Sequence, residues 1–182
     1  MFLLVLVLKN SHLEQASLFF TNNLESILYL SNNNSHFFIS GQFIMLGLIV
    51  DGKPLMRAYS IASPDWDEEF EFYSIIIPDG ALTSRLRHIK VGDEIVLSAK
   101  AVGTLTTRGL LPGGKRLFML STGTGFAPFS CLIRDEDIYE EYEEVYVTQT
   151  CRFVKDLTYA KDRIKEANEC PLVGDEAEEK LR

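Results

Sequence analysis

The segment Arg57-Ala58-Tyr59-Ser60 carries the residue types most suited to binding a cofactor. In a β-strand, alternate side chains share a face, so Arg57 and Tyr59 point to one side and Ala58 and Ser60 to the other. A guanidinium can bind a diphosphate through two parallel hydrogen bonds, and a phenol ring can lie flat against a heteroaromatic ring. This combination fits a flavin dinucleotide. An edge strand with an exposed arginine and a half-buried tyrosine fits the same four residues.

The composition is that of a soluble globular protein with one large domain or two small ones, since 46% of the 182 residues are hydrophobic and 24% are charged. The cysteines (Cys131, Cys151 and Cys170) are unevenly spaced, so we expect no disulfide framework and a reducing, cytoplasmic location. The three histidines stand far apart, and we expect no metal site. The apolar run at 2–8 is too short to span a bilayer and lacks the features of a signal peptide, which favours a buried first strand.

The net charge of −8 is unevenly distributed along the chain. Residues 85–116 carry only two acidic residues, Asp93 and Glu94, and the remainder of the chain is acidic. Such a region can steer an acidic partner, or it can be an ordinary solvated surface. Nucleic-acid binding is not expected in so acidic a chain. We call its seven basic residues the basic belt: Arg85, Arg87, Lys90, Lys100, Arg108, Lys115 and Arg116.

Short strands separated by turns predict an antiparallel β-barrel over residues 1–111. Asp51-Gly52 and Asp79-Gly80 are turn signals, and residues 70–75 alternate like a strand with one buried face. Residues 10–36 predict only strands joined by polar turns. Residues 82–86 predict the start of a helix, with Thr83 as its N-cap. Leu82, Leu86 and Ile89 would share one face of it. The N–H groups at its N-terminus would be available to a phosphate.

Residues 112–182 predict a partial, doubly wound parallel α/β domain after a linker at Pro112-Gly113-Gly114. An apolar strand at 117–120, typical of a sheet covered on both sides, leads into Gly123-x-Gly125-x-x-Pro128 and a helix through Ile133. Pro128 suits the first turn of that helix. A second strand at 144–149 completes a βαβ unit, and helices are predicted at 157–168 and 175–181. The acidic run 135–144 is predicted to be a solvated face.

Cys151 and Arg152 follow the second strand of this unit. Open α/β sheets bind ligands at the carboxyl ends of their strands, so Arg152 is a candidate for holding a phosphate and Cys151 for lining the crevice. An ordinary loop arginine and a half-buried thiol remain the alternative.

Four motifs follow one another along the chain: RAYS at 57–60, EFYS at 71–74, PDGALTSRL at 78–86 and STGTGFAP at 121–128. In this order they resemble the motifs of the bacterial ferredoxin/flavodoxin–NADP(+) reductases. The resemblance extends from about residue 37 to about residue 159. It implies an FAD-binding antiparallel barrel followed by an NADP-binding α/β domain, with FAD between the two.

The resemblance also implies a role for individual residues. Arg57 would bind the FAD phosphates, Tyr59 would stack on the isoalloxazine and Ser60 would lie near its reactive edge, with Ala58 beside them. Further contacts implied for FAD are Tyr73 against another part of the flavin, backbone N–H groups of Ala81, Leu82 and Thr83 at the diphosphate, and Thr124 from the second domain. Those implied for NADPH are Gly123 and Gly125 at its diphosphate, Cys151 near the nicotinamide nucleotide and Arg152 on the 2′-phosphate side.

The implied function is electron transfer between NADPH and ferredoxin or flavodoxin through FAD, by a monomeric, cytoplasmic enzyme without a general acid or base. The basic belt would then be the dock for the carrier protein. Two alternatives stay open, an FAD-binding remnant without turnover and the reductase module of a multicomponent oxygenase. The second needs an iron–sulfur cluster held by closely spaced cysteines, which this chain does not supply.

The chain departs from the family at both ends. The first 36 residues match poorly, which leaves a misassigned start as one explanation. Residues 112–182 contain only two convincing strands, and the family's later strands, second phosphate-binding arginine and C-terminal tail have no counterpart. A fragment, a mis-called gene and a split protein are all consistent with this, and an exposed edge of so small a sheet is expected to be unstable and sticky.

Overall fold

The computed structural model describes most of the chain from residue 38 onward and the backbone of three short segments before it. The described residues are 2–9, 19–21 and 25–27 as backbone, and 38–67, 69–90, 93–98, 100–110 and 113–182 in full. Pro112 of the predicted linker and most of the predicted polar turns in 10–36 lie outside this set.

In the described residues, the first part of the fold has seven antiparallel strands: β1 Phe2–Lys9, β2 Phe19–Thr21, β3 Glu25–Ile27, β4 Phe43–Val50, β5 Lys53–Ser60, β6 Glu69–Ile76 and β7 Val96–Leu97. Among the described residues, β4 lies between β5 and β7, β1 pairs with β6, and β2 pairs with β3. A bridge between Ile61 and Phe72 connects the end of β5 to β6. Asp51 (φ 51°) and Gly52 (φ 74°) form the predicted hairpin turn between β4 and β5.

The second part of the fold is a βαβ unit, as predicted. β8 (Arg116–Thr122) pairs in parallel with β9 (Glu144–Thr150), and the glycine turn (residues 123–126) leads from β8 into helix α2 (Ala127–Leu132). Pro128 lies in the first turn of α2. The remaining helices are α1 Thr83–Leu86, α3 Glu136–Glu141, α4 Thr158–Glu169 and α5 Gly174–Lys180. The predicted fold class, antiparallel β followed by a partial parallel α/β sheet, is therefore confirmed.

The last two residues add a third line of backbone to the parallel sheet. Leu181 forms a parallel bridge with Val145, and Arg182 donates to the Val145 carbonyl at 2.8 Å and accepts from the Val147 N–H at 3.0 Å. The C-terminal residues therefore pair with the edge of β9 that faces away from β8. β9 is also the strand whose carboxyl end leads to Cys151 and Arg152.

The prediction that the apolar strand is covered on both sides is wrong for the described residues. Met119 and Ser121 are buried, but Phe118 is 57% and Leu120 is 69% exposed, because the described helices leave this face uncovered. Phe118 stacks on Tyr146 of β9 instead, with ring centroids 4.8 Å apart and planes at 12°. Within the described residues no helix is both long and apolar enough to cross a bilayer.

The acidic run at 135–144 is a solvated face only in part. Glu136, Asp137 and Glu140 of α3 are exposed, as predicted. Asp135 is buried, and its carboxylate accepts from the Asp137 N–H at 3.1 Å, so it caps the helix.

Strand β6 is buried on both faces, which corrects the prediction of one buried face. Phe70 and Phe72 lie in the core of the antiparallel part, while Glu71 and Tyr73 are 3% and 4% exposed. Alternating polarity suggested that the odd positions face water, but the second part of the fold covers them. β6 is therefore the strand on which the two parts of the fold meet.

Candidate functional site

The carboxyl end of β6 brings together two of the predicted cofactor-binding residues, Tyr59 and Thr83. The phenol of Tyr59 hydrogen-bonds the side chain of Ser74, and its ring meets Phe72 edge-on, with centroids 6.4 Å apart. The Thr83 hydroxyl accepts from the Ile77 N–H at 3.0 Å and donates to the Ile77 carbonyl at 3.1 Å. Tyr59 and Thr83 thus approach the same end of one strand.

The prediction that Thr83 caps helix α1 is wrong. The N-cap position is Leu82, and no side chain caps the helix, because the Thr83 hydroxyl is bound to Ile77 instead. α1 has only four residues, which gives little aligned dipole for a phosphate. The predicted apolar face is confirmed, since Leu82, Leu86 and Ile89 are all buried.

Arg57 is exposed at the surface of β5. One of its guanidinium nitrogens donates to the carbonyl of the preceding residue, Met56, at 2.7 Å. Tyr59 on the same strand is only 8% exposed, and burial raises the pKa of its phenol, although the Ser74 hydrogen bond and the Arg57 charge lower it. The phenol is therefore neutral at physiological pH and available as an apolar ring. Ala58 is exposed and Ser60 is half-buried.

The glycine turn forms one wall of an open cleft of about 610 Å³. Gly123 has a φ of +52°, and a Cβ added to it would meet nothing within 4 Å, so the backbone there is open to a ligand. Four predicted site residues meet at this cleft, together with three that were not among the predicted ones. Its lining is Ile75, Thr122, Gly123, Thr124, Thr150, Cys151 and Arg152.

Of the three lining residues that were missed, two have a signal in the sequence. Thr122 precedes the glycine turn and Thr150 precedes Cys151, and in the parallel register they are direct partners. Strand ends in register lie at the same edge of a sheet, so the pair is predictable once β8 and β9 are known to be parallel. Ile75 comes from β6 and forms the opposite wall.

Polar groups beneath the turn hold it in place. Gln149 donates to the Gly123 carbonyl at 2.7 Å, and the Cys151 thiol donates to the Asp156 carbonyl at 3.7 Å. Burial raises the pKa of the Cys151 thiol, and the Asp156 charge raises it further, while a Gly123 backbone hydrogen bond lowers it. The sulfur is therefore a neutral thiol at physiological pH, which suits a packing role better than a nucleophilic one.

Tyr73 and Gly125, two further predicted cofactor-binding residues, do not line the cleft. Tyr73 is buried, and one face of its ring is taken by Tyr159, with centroids 3.9 Å apart and planes at 8°. Gly125 lies exposed in the middle of the glycine turn. The flavin contact of Tyr73 and the phosphate contact of Gly125 stay predictions.

Residues 25–105 match the family model of the oxidoreductase FAD-binding domain. The flavodoxin/ferredoxin–NADP reductase of Rhodobacter capsulatus is 56% identical over 146 residues, which cover 80% of this chain and 54% of that protein. The chain belongs to the bacterial ferredoxin/flavodoxin–NADP(+) reductase family. The ferredoxin–NADP reductase of Pseudomonas aeruginosa is 54% identical over 144 residues, covering 79% of this chain and 55% of that one. The chain thus spans about half the length of these curated relatives.

Solved structures of this family have the same fold. A ferredoxin–NADP(+) reductase from Neisseria gonorrhoeae, determined with bound FAD and NADP, superposes with a TM-score of 0.72 at 27% identity, covering 91% of this chain and 62% of that one. A ferredoxin–NADP(+) reductase from Plasmodium falciparum with 2′P-AMP gives a TM-score of 0.60 at 14% identity, over 86% and 68% of the two chains, which shows a shared fold alone.

Proposed function

We propose that this chain is an FAD-dependent oxidoreductase that transfers electrons between NADPH and ferredoxin or flavodoxin. The observation that carries the proposal is the meeting of Tyr59, Thr83 and the glycine turn around the carboxyl end of β6, beside an open cleft. We further propose a monomeric, cytoplasmic protein with an FAD-binding domain at 1–111 and an NADP-binding domain, incomplete relative to the family, at 112–182.

The residues of the antiparallel part fit an FAD. The exposed guanidinium of Arg57 makes one hydrogen bond to its neighbour's carbonyl and can turn toward a diphosphate, while Tyr59 and Ser60 would lie along the flavin ring. Backbone N–H groups at 81–83 would add contacts to the diphosphate, since the first N–H groups of a helix have no partner within it. When bound, the flavin accepts a hydride and releases electrons singly, and the protein supplies orientation and shelter from water.

The residues of the parallel part fit a second nucleotide. Gly123 leaves its backbone open to a diphosphate, Thr124 lines the cleft and would contact the flavin, and the exposed Arg152 can bind a 2′-phosphate. Cys151 would pack near the nicotinamide. A ring bound here would be held between the glycine turn and Ile75.

Anaerobic titration tests the proposal. The purified chain, reconstituted with FAD, is expected to show a flavin absorbance band that bleaches when NADPH is added without oxygen. A yellow protein that NADPH fails to bleach would support the alternative of an FAD-binding remnant. A chain that stays colourless after reconstitution would refute the proposal.

The basic belt provides a separate prediction about the carrier protein. Lys115 and Arg116 are paired with Glu143 and Glu144 at 2.8 and 3.2 Å, so we test the belt at two other exposed lysines, Lys90 and Lys100. A Lys90→Glu/Lys100→Glu double variant is expected to reduce an acidic ferredoxin about tenfold more slowly at low salt, because opposite charges steer association.

The control for this variant reverses the charge of Lys161, an exposed residue of α4 outside the belt. Stopped-flow rates at low and high ionic strength separate steering from chemistry, since screening removes steering. Equal ferredoxin reduction rates for the double variant and the wild type at low salt would eliminate the belt as the dock, without bearing on NADPH-dependent bleaching.

A further inference from the structure

A cluster of four charged side chains, two of them buried, joins β6 to helix α4 and to the segment after α2. Glu71 is 3% and Arg134 is 6% exposed. Arg163 donates to both carboxylate oxygens of Glu71 at 3.1 Å, and Arg134 donates to one of them at 3.2 Å. Glu166 completes the cluster, 3.6 Å from Arg134 and ion-paired with Arg163. We call these residues the Glu71 cluster.

The charges of the Glu71 cluster balance, with two carboxylates and two guanidinium groups. Burial alone would raise the pKa of Glu71, but the charges of Arg134 and Arg163 act in the opposite direction and leave that pKa below its usual value. Glu71 is therefore ionised at neutral pH. Buried ion pairs are often no more stabilising than apolar residues of equal volume, so stability alone gives no reason for this arrangement. What the cluster does supply is a fixed geometry between three segments.

A chain of ring contacts leads from the cluster to the glycine turn. The Arg163 guanidinium lies 5.4 Å from the centroid of the Tyr159 ring. Tyr159 stacks on Tyr73 at 3.9 Å and meets Phe126 edge-on at 6.1 Å. Phe126 is the last residue of the glycine turn, so a displacement of α4 would reach the backbone of that turn through two rings.

Three residues on one face of β6 connect the Glu71 cluster, the ring contacts and the cleft. Glu71, Tyr73 and Ile75 alternate along the strand, and they contact the ion cluster, Tyr159 and the cleft respectively. At ~3.3 Å per residue, Glu71 is roughly 13 Å from the cleft wall at Ile75 and cannot touch a ligand there.

We propose that Glu71 is a positioning residue for the cleft. Its carboxylate fixes α4 against β6 and, through Tyr159 and Phe126, sets the distance between the glycine turn and Ile75. This inference rests on the proposed function for the identity of the ligands, FAD and NADP(+). The geometry of the cluster itself does not depend on that identity.

The test compares Glu71→Gln with wild type in the full chain. Trp66 is the single tryptophan of the sequence, and its indole N–H donates to the main-chain carbonyl of Arg134 at 3.1 Å, so its fluorescence reports on the position of the Arg134 segment, which Glu71 holds against β6. In Glu71→Gln we expect Trp66 emission to shift to longer wavelength and acrylamide quenching to rise. We also expect NADP(+) affinity, measured by flavin difference spectra, to fall about 3- to 30-fold while FAD stays bound.

Two further variants separate positioning from a structural or purely electrostatic role. Glu143→Gln removes a surface carboxylate paired with Lys115 and should change neither readout. Arg163→Lys keeps the charge but offers one nitrogen where Arg163 uses two, one on Glu71 and the other on Glu166, so it should weaken NADP(+) binding even if Glu71→Gln fails to fold. Wild-type NADP(+) affinity in Arg163→Lys would overturn the positioning role.

The outcomes distinguish this inference from the proposed function. If the wild-type chain binds neither FAD nor NADP(+), the proposed function fails. In that case Trp66 quenching still decides whether Glu71 holds the cluster together at Arg134, and wild-type quenching in a folded Glu71→Gln chain refutes the inference. If both nucleotides bind and Trp66 quenching in Glu71→Gln equals wild type, the inference fails and the function stands.

Discussion

A Gly47→Ala chain is expected to lose about 3 kcal/mol or more of its free energy of unfolding. Gly47 lies in the middle of β4, opposite Met56 of β5 and Val96 of β7. A Cβ at this position would stand 1.9 Å from the Leu55 carbonyl oxygen and 2.7 Å from the Met56 Cα. Since both contacts are with backbone, the methyl group can be accommodated only if β5 moves away from β4.

The displacement of β5 makes the effect larger than an ordinary core mutation. β5 carries Arg57 and Tyr59, so a shifted strand would disturb the candidate flavin site as well as the sheet. Equilibrium urea unfolding, followed by circular dichroism and Trp66 fluorescence, measures the loss. Flavin absorbance after reconstitution measures the effect on the site.

Gly114→Ala is the matched control. A Cβ at Gly114 would lie 3.4 Å from the Tyr142 ring, close to an ordinary contact with a side chain, and we expect a change within about 0.5 kcal/mol. Equal unfolding midpoints for Gly47→Ala and the wild type would show that β4 and β5 do not approach as closely as described.

The sequence predicted the elements whose signals are local. The Asp51-Gly52 turn, the glycine turn and Pro128 each depend on backbone preferences of one or two residues, and all three lie where they were expected. The parallel pairing of β8 and β9 followed from the same reasoning, since a strand, a glycine turn, a helix and a second strand have one common solution.

The features that the sequence did not reveal depend on partners far away in the chain. Glu71 and Arg163 are 92 positions apart, and nothing near Glu71 indicates that it is buried. Thr83 had the residue type of an N-cap, but its hydroxyl found a partner six residues earlier at Ile77. The sequence around Phe118 has the pattern of any apolar strand. That pattern does not indicate which of the two faces of the strand a helix will cover.

The close contact at Gly47 could not be predicted from the sequence either. A lone glycine in an apolar run signals a close backbone approach or a bulge, without indicating which neighbouring strand approaches. Only the register with β5 identifies Leu55 as the contact.

An Arg57→Ala chain is expected to bind FAD about 10- to 100-fold more weakly than wild type. A hydrogen bond between a charged donor and a phosphate contributes about 1.5–3 kcal/mol, and the guanidinium of Arg57 is the only part of the RAYS motif able to supply it. Little else competes with a phosphate for the Arg57 guanidinium. The side chain is exposed, and the hydrogen bond it makes among the described residues is to the carbonyl of the adjacent Met56. Fluorescence titration of FAD into the apoprotein measures the change.

Two further variants on β5 show which property of Arg57 accounts for the loss of FAD affinity. Lys53→Ala removes an equally exposed positive charge at the far end of β5, so unchanged FAD affinity there excludes a general electrostatic effect. Arg57→Lys keeps the charge without the two-pronged geometry, and an affinity between those of Arg57→Ala and wild type would assign the difference to paired hydrogen bonds. If Arg57→Ala instead binds FAD as tightly as wild type, Arg57 is an ordinary surface arginine, and the flavin must be held by Tyr59, the backbone at 81–83 and the glycine turn.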